Sequence, residues 1–148
     1  MRAVFMGTPE FAVPTLAAML AAGVEVTGVV TQPDRPAGRG QQLTACPVKR
    51  RAVERGLPMF QPLKIKAPEA VAWVREERPD VIVVVGYGQI IPAAVFDYPP
   101  LGTVNVHASL LPRYRGAAPI QWAIANGETV TGVTPMRIEA GLDTGDIL

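Results

Sequence analysis

A chain of 148 residues and 15.8 kDa has room for one domain, large enough to bury about two thirds of the surface its unfolded form exposes, so no metal or disulfide is needed to hold it together. Hydrophobic residues make up 49% and charged residues 18%, the balance of a globular protein, and no apolar run nears the roughly 20 residues of a membrane span. The net charge is only +1, yet residues 35–66 carry Arg35, Arg39, Lys49, Arg50, Arg51, Arg55, Lys64 and Lys66 against the single acid Glu54, a local excess that suggests an anionic partner.

Residues 1–6 enter an apolar strand pattern without the basic start and cleavage site of a signal peptide, so a soluble cytoplasmic protein is the expectation. Arg2–Met6 is predicted as a strand ending at Gly7, and Pro9–Ala22 as a helix on the spacing of Phe11, Leu16, Met19 and Leu20. Val24–Thr31 is a second β-branched run. The stretch Gln32–Pro47, rich in Gly, Pro and Gln, has no periodicity and reads as a long loop, and loops of that length inside a domain are usually functional or disordered. It contains the only cysteine, Cys46, which excludes an internal disulfide and a cysteine metal cluster. An ordinary loop thiol is expected there rather than a nucleophile.

Val48–Arg55 is predicted as a basic helix, Leu57–Phe60 as a short strand, and Ala67–Arg78 as a helix burying Val71, Trp73 and Val74. Asp80-Val-Ile-Val-Val-Val-Gly86 is apolar without alternation, the mark of a strand covered on both faces. Thr103–His107 is the next strand, Ala117–Ala125 a helix closed by Asn126-Gly127, and Thr129–Ile138 a further strand, while Asp146-Ile-Leu148 resembles the opening of one more. Alternating strands and helices predict an α/β fold with a doubly wound, mostly parallel sheet. The unfinished pattern suggests a domain, 1–148, incomplete at its C-terminal end.

The polar residues capable of chemistry lie late in the chain. Side chains two apart share a strand face, so Asn105 and His107 point one way, about 6 to 7 Å apart, where the strand ends. Ligand sites of open α/β sheets lie beyond such ends. A satisfied core histidine is the plain alternative for His107, and a tight turn for Gly141-Leu-Asp-Thr-Gly-Asp146. Taken together, Asn105, His107 and Asp143 can supply a hydrogen-bond donor, an imidazole and an orienting carboxylate. No Ser or Cys is placed as a nucleophile, so direct group transfer fits better than a covalent intermediate. Gly7-Thr-Pro-Glu10 replaces the dinucleotide fingerprint and no P-loop occurs, so neither NAD nor ATP is expected. One histidine among scattered carboxylates gives no metal spacing.

These residues carry a resemblance. Phe5-Met-Gly-Thr-Pro-Glu-Phe11, Thr31-Gln-Pro-Asp-Arg-Pro-Ala-Gly-Arg-Gly40, Val85-Gly-Tyr-Gly88, the run Asn105 to Gln121, and Gly141 to Asp146 together resemble the methionyl-tRNA formyltransferases over essentially the whole chain. The resemblance implies a Rossmann-like formyltransferase fold and formyl transfer from 10-formyltetrahydrofolate to the amino group of initiator methionyl-tRNA. It implies catalytic roles for Asn105, His107 and Asp143, with Asn105 and a protonated His107 stabilising the oxygen charge and Asp143 favouring the charged ring. Folate contacts are implied at Ser109, Leu110, Leu111 and Pro112, and in the loop Gly86–Ile91, where Tyr87, Ile90 and Ile91 offer apolar surface unless they simply pack the core. The loop Gln32–Pro47 would enter the acceptor end of the tRNA, Arg39 at the matching arginine position, with Arg35, Lys49, Arg50 and Arg51 on phosphates; a solvated basic face is the alternative. A monomer is expected, and the family chain continues into a C-terminal β-barrel, so weak or no transfer is expected from residues 1–148 alone. Ala108 stands where the family commonly has glycine and Gln41 and Gln42 where lysines are common; Pro135 within a strand argues for an edge or a bulge. Two other functions compete: a formyl transfer to a sugar amine or glycinamide ribonucleotide, which the 32–47 insertion disfavours, and a nonenzymatic anion-binding module.

Overall fold

The computed structural model describes residues 1–148. Its main sheet contains β1 (Arg2–Gly7), β2 (Glu25–Val30), β5 (Met59–Phe60), β6 (Val81–Val85), β7 (Thr103–His107) and β8 (Thr134–Arg137), in the order β5-β2-β1-β6-β7-β8. All neighbours are parallel except the last pair, β7 and β8. Strand order therefore reverses between β1 and β6, and a crevice opens at the carboxyl ends of those two strands.

Helices cover both faces, as unbroken apolar strands require. On one face Val4, Met6, Val30, Ile82 and Val84 pack with α3 (Pro68–Glu76) and a short α4 (Ala93–Phe96). On the other, Phe5, Val29 and Val85 pack with α1 (Val13–Ala21) and α2 (Pro47–Glu54). A bulge between Ala3 and Val4 in the register with β2 rephases that strand, so Val26 and Val29, three apart, serve the same core. Gly28 leaves room on the opposite face for the Trp73 ring, which stacks on Phe60 at 4.8 Å.

The structure corrects several sequence expectations. The stretch 32–47 is not structureless: β3 (Arg35–Ala37) and β4 (Gln42–Thr44) form an exposed antiparallel hairpin. Backbone pairing supplies the order that apolar periodicity did not signal. The helix expected from Pro9 begins with a 3-10 turn, Glu10–Ala12, and becomes α-helical at Val13. α4 was not anticipated, and α5 spans Pro119–Ala125, two residues later than expected. The strand expected over 129–138 shrinks to β8, because Val130 and Val133 are exposed and pair with nothing. β8 lies at the sheet edge, as Pro135 suggested. The Pro135 carbonyl accepts from Leu148 on the outer side, so the missing N–H also faces away from β7. Met136 bridges Ile147, which makes the segment after Asp146 the start of another pairing. No helix is long and apolar enough to cross a membrane.

Candidate active site

β7 brings Asn105 and His107 to one face, and the turn 141–145 brings Asp143 to them. Asn105 Nδ2 donates to Asp143 Oδ1 at 3.5 Å, and His107 Nδ1 lies 3.6 Å from Asp143 Oδ2. The imidazole and carboxylate are 7% and 12% exposed, so their interaction is little screened by solvent. Asp143 sits at φ +52°, a left-handed conformation that a short polar side chain tolerates. The turn presses on β8 so closely at Gly145 that a Cβ there would collide with the Arg137 carbonyl.

The loop after β7, 108–116, closes over the cluster. His107 Nε2 is 2.7 Å from the Tyr114 carbonyl, and the Gly116 N–H donates to Asp143 Oδ2 at 2.7 Å. A carbonyl can only accept, so Nε2 carries a proton and Nδ1 is the nitrogen that faces the carboxylate. Both ring nitrogens are thereby engaged. The donor left free is the second hydrogen of the Asn105 amide.

Residues that fix this loop escaped the sequence reading. Thr134, at the start of β8 opposite His107, donates to the Ser109 carbonyl at 2.6 Å and accepts from the Leu111 N–H at 3.1 Å. Glu128 accepts from the Tyr114 hydroxyl at 2.7 Å and pairs with Arg113. The Tyr114 hydrogen bond, followed by the Arg113 charge, holds the Glu128 carboxyl below its ordinary range. The basic partner and the acid are fifteen residues apart, with no periodic signal to join them.

The implied folate residues separate. Leu110 and Leu142 are exposed beside the cluster, Pro112 is also exposed, and Leu111 is half-buried. Ser109 is sealed, its hydroxyl donating to the Arg113 carbonyl at 2.6 Å, so it holds the turn instead of offering a contact. Tyr87 and Ile91 are turned into the core, and only Ile90 remains on the surface; the positive φ of Gly86 and Gly88 lets the segment dip inward between them. Tyr87 buries a hydroxyl without a partner, and that burial pushes its pKa up to about 12.

The basic residues also differ in availability. Arg35, Arg39 and Arg50 are exposed, but Lys49 is bound to Asp34 at 2.6 Å. Asp34 also accepts from Gln61, and these donors, Lys49 first, hold its carboxyl below the usual range. Cys46 caps α2, its sulfur accepting the Lys49 N–H. No group of three His, Cys, Asp or Glu side chains comes together as a metal site.

A family profile described as formyl transferase matches residues 1–148. The methionyl-tRNA formyltransferase of Solibacter usitatus is 62% identical over 148 residues, covering 100% of this chain and 48% of its own length. That of Geobacter metallireducens is 59% identical over 145 residues, covering 98% and 47%. The chain thus spans about half the length of the curated relatives it matches. Among solved structures, phosphoribosylglycinamide formyltransferase from Bacillus halodurans superposes with a TM-score of 0.77 at 24% identity, covering 99% of this chain and 76% of that one, a likeness of fold.

Proposed function

The chain belongs to the formyl transferase family, and on that premise we propose that it is the N-terminal catalytic part of an enzyme that formylates the amino group of initiator methionyl-tRNA from 10-formyltetrahydrofolate. The observation that carries this reading is the convergence of Asn105, His107 and Asp143 at the end of β7, two of them nearly sealed from water. The exposed leucines beside that cluster, Leu110 and Leu142, suit the apolar part of a folate ring system. The donor supplies a formyl group on an amide-like nitrogen.

As the neutral amine adds to the formyl carbon, negative charge grows on the formyl oxygen. The free N–H of Asn105 is the donor aimed at that charge. His107, pinned by Tyr114, fixes the orientation of Asp143, and Asp143 Oδ1 accepts the proton that the amine must lose. The oxyanion then collapses to a carbonyl, the bond to the donor nitrogen breaks, and that nitrogen takes the proton held by Asp143, so the new carbon–nitrogen bond remains.

Two features support tRNA as the acceptor over a small amine: the hairpin 35–44, with Arg39 at its exposed tip, and the identity to methionyl-tRNA formyltransferases along the whole chain. The test is to give the complete protein formyl donor together with charged initiator tRNA or glycinamide ribonucleotide. Formyl-methionyl-tRNA is the expected product. Transfer to the ribonucleotide alone, or to neither, removes the reading.

A further inference from the structure

His107 and Asp143 are gripped from one loop. The Tyr114 carbonyl accepts from His107 Nε2 at 2.7 Å, and two residues on the Gly116 N–H donates to Asp143 Oδ2 at 2.7 Å. The backbone of Tyr114 therefore sets both members of the pair. That backbone does not rest where sterics would leave it. Tyr114 is a bulky residue at φ +56°, in the left-handed region that favours glycine, and such a conformation persists only where its surroundings enforce it. No residue of 108–116 belongs to either apolar core, so core packing does not enforce it.

The Tyr114 side chain supplies the restraint. Its hydroxyl donates to Glu128 Oε1 at 2.7 Å and accepts from Asn126 Nδ2 at 3.1 Å, so it is engaged as donor and as acceptor. Both partners ride on the end of α5. Asn126 closes the helix, and the Glu128 N–H donates to the carbonyl of the buried Ala123 at 3.0 Å, which makes that end a fixed point. A carboxylate just past a helix C-terminus gains nothing from the helix dipole, so Glu128 is not placed there for the sake of α5. Arg113 lies over the same tyrosine, its guanidinium 5.5 Å from the ring centre, and pairs with Glu128, which orients the acceptor.

We propose that Tyr114, clamped by Glu128 and Asn126, is a positioning residue for the transfer: the clamp holds the Tyr114 carbonyl on His107 Nε2, and so keeps a proton on that nitrogen and Nδ1 turned to Asp143. This rests on the reading of Asn105, His107 and Asp143 as the reacting groups. The hydroxyl is bound to Glu128 and Asn126 and not to the imidazole, so it acts on the ring only through the backbone. A ring released from the carbonyl carries Nδ1 away from Asp143, and the carboxylate that takes the amine proton loses its alignment.

The test uses the complete protein. Tyr114→Phe keeps the ring and removes the hydroxyl. Its kcat for formylation of methionyl-tRNA is expected to fall about tenfold, the worth of one hydrogen bond to a charged group, with KM for 10-formyltetrahydrofolate unchanged. Glu128→Ala should fall by as much and the double variant no further, because both remove one contact. Glu128→Gln, whose amide oxygen still accepts from the hydroxyl, should recover most of the loss. The imidazole itself is read by proton–nitrogen correlation spectra, the His107 signals being identified by their disappearance in His107→Gln. Nε2 is expected at the protonated position in the wild type and displaced from it in Tyr114→Phe. Unchanged kcat or unchanged His107 signals in Tyr114→Phe overturn the proposal, as do additive losses in the double variant or a glutamine variant as slow as the alanine one. The spectra need no substrate: a wild type that makes no formyl-methionyl-tRNA sinks the functional reading, while the His107 signals still decide the clamp.

Discussion

Asn105 is the residue on which the proposed transfer turns, because it alone of the three retains a free donor when His107 and Asp143 are engaged. Loss of one oxyanion donor typically costs about 10²- to 10³-fold in kcat, and Asn105→Ala in the complete enzyme is expected to show that loss with folate affinity nearly unchanged. Steady-state kinetics beside a folate titration decides it; wild-type turnover would remove Asn105 from the mechanism. Tyr87 permits a sharper statement about stability. Its hydroxyl ionises near 10.0 in the unfolded chain and near 12 in the fold. The unfolded chain thus releases the proton first, and the Tyr87 contribution to stability is constant below pH 10 and falls between 10 and 12, by roughly 2 to 3 kcal/mol in all. Tyr87→Phe removes this decline and, by discarding an unpaired buried polar atom, should raise stability at neutral pH by about 1 kcal/mol. Urea unfolding of both proteins at pH 7 and pH 11 measures the two effects, and parallel losses at high pH would contradict the assignment.

At the scale of elements, the loop 108–116 and the hairpin 35–44 both lie outside the two apolar cores and are held by polar contacts. The loop 108–116 is fastened by Thr134 and by the Glu128 contacts to Tyr114 and Arg113. Because the Glu128 carboxyl lies below its ordinary value of 4.5 in the fold, its contribution is complete above that pH and lost as the pH falls through the lowered folded value. Glu128→Ala is expected to speed amide exchange across 111–116 at neutral pH and to abolish the acid dependence there. Exchange that is unchanged would place the fastening elsewhere. The hairpin 35–44 is tied at its base by Asp34 to Lys49 and Gln61 and leaves Arg39 free. Arg39→Ala should therefore lower kcat/KM for methionyl-tRNA while folate binding persists, and equal tRNA kinetics would detach the hairpin from substrate recognition.

For the whole molecule, the central strands β1 and β6 serve both cores at once: Val4, Met6, Ile82 and Val84 face one, Phe5 and Val85 the other. Two layers that share a sheet should unfold together. Ile82 is fully buried in the strand next to the crevice, and truncation of such a side chain costs about 2–5 kcal/mol. Ile82→Ala is expected to shift the denaturation midpoint by that amount, with far-ultraviolet ellipticity and Trp73 fluorescence changing in step. Separate transitions for the two probes would mean that the layers are independent.

The sequence by itself determined the sheet and its partners. The unbroken Val-Ile run of β6 required helices on both faces, the alternation of β7 placed Asn105 and His107 on one side, and Pro135 pointed to an edge or a bulge, of which the structure has the edge, because each depends on a local pattern. The motif around Asp143 was also legible, and so was the basic stretch. Only the tertiary structure decided which members of those motifs are free to act. Lys49 is spent on Asp34, Ser109 on Arg113, and Tyr87 and Ile91 on the core, while Thr134 and Glu128 gain roles that no spacing announced. Availability depends on which groups meet across the fold, and a hydrogen bond between residues far apart in the chain leaves no periodic trace in the sequence.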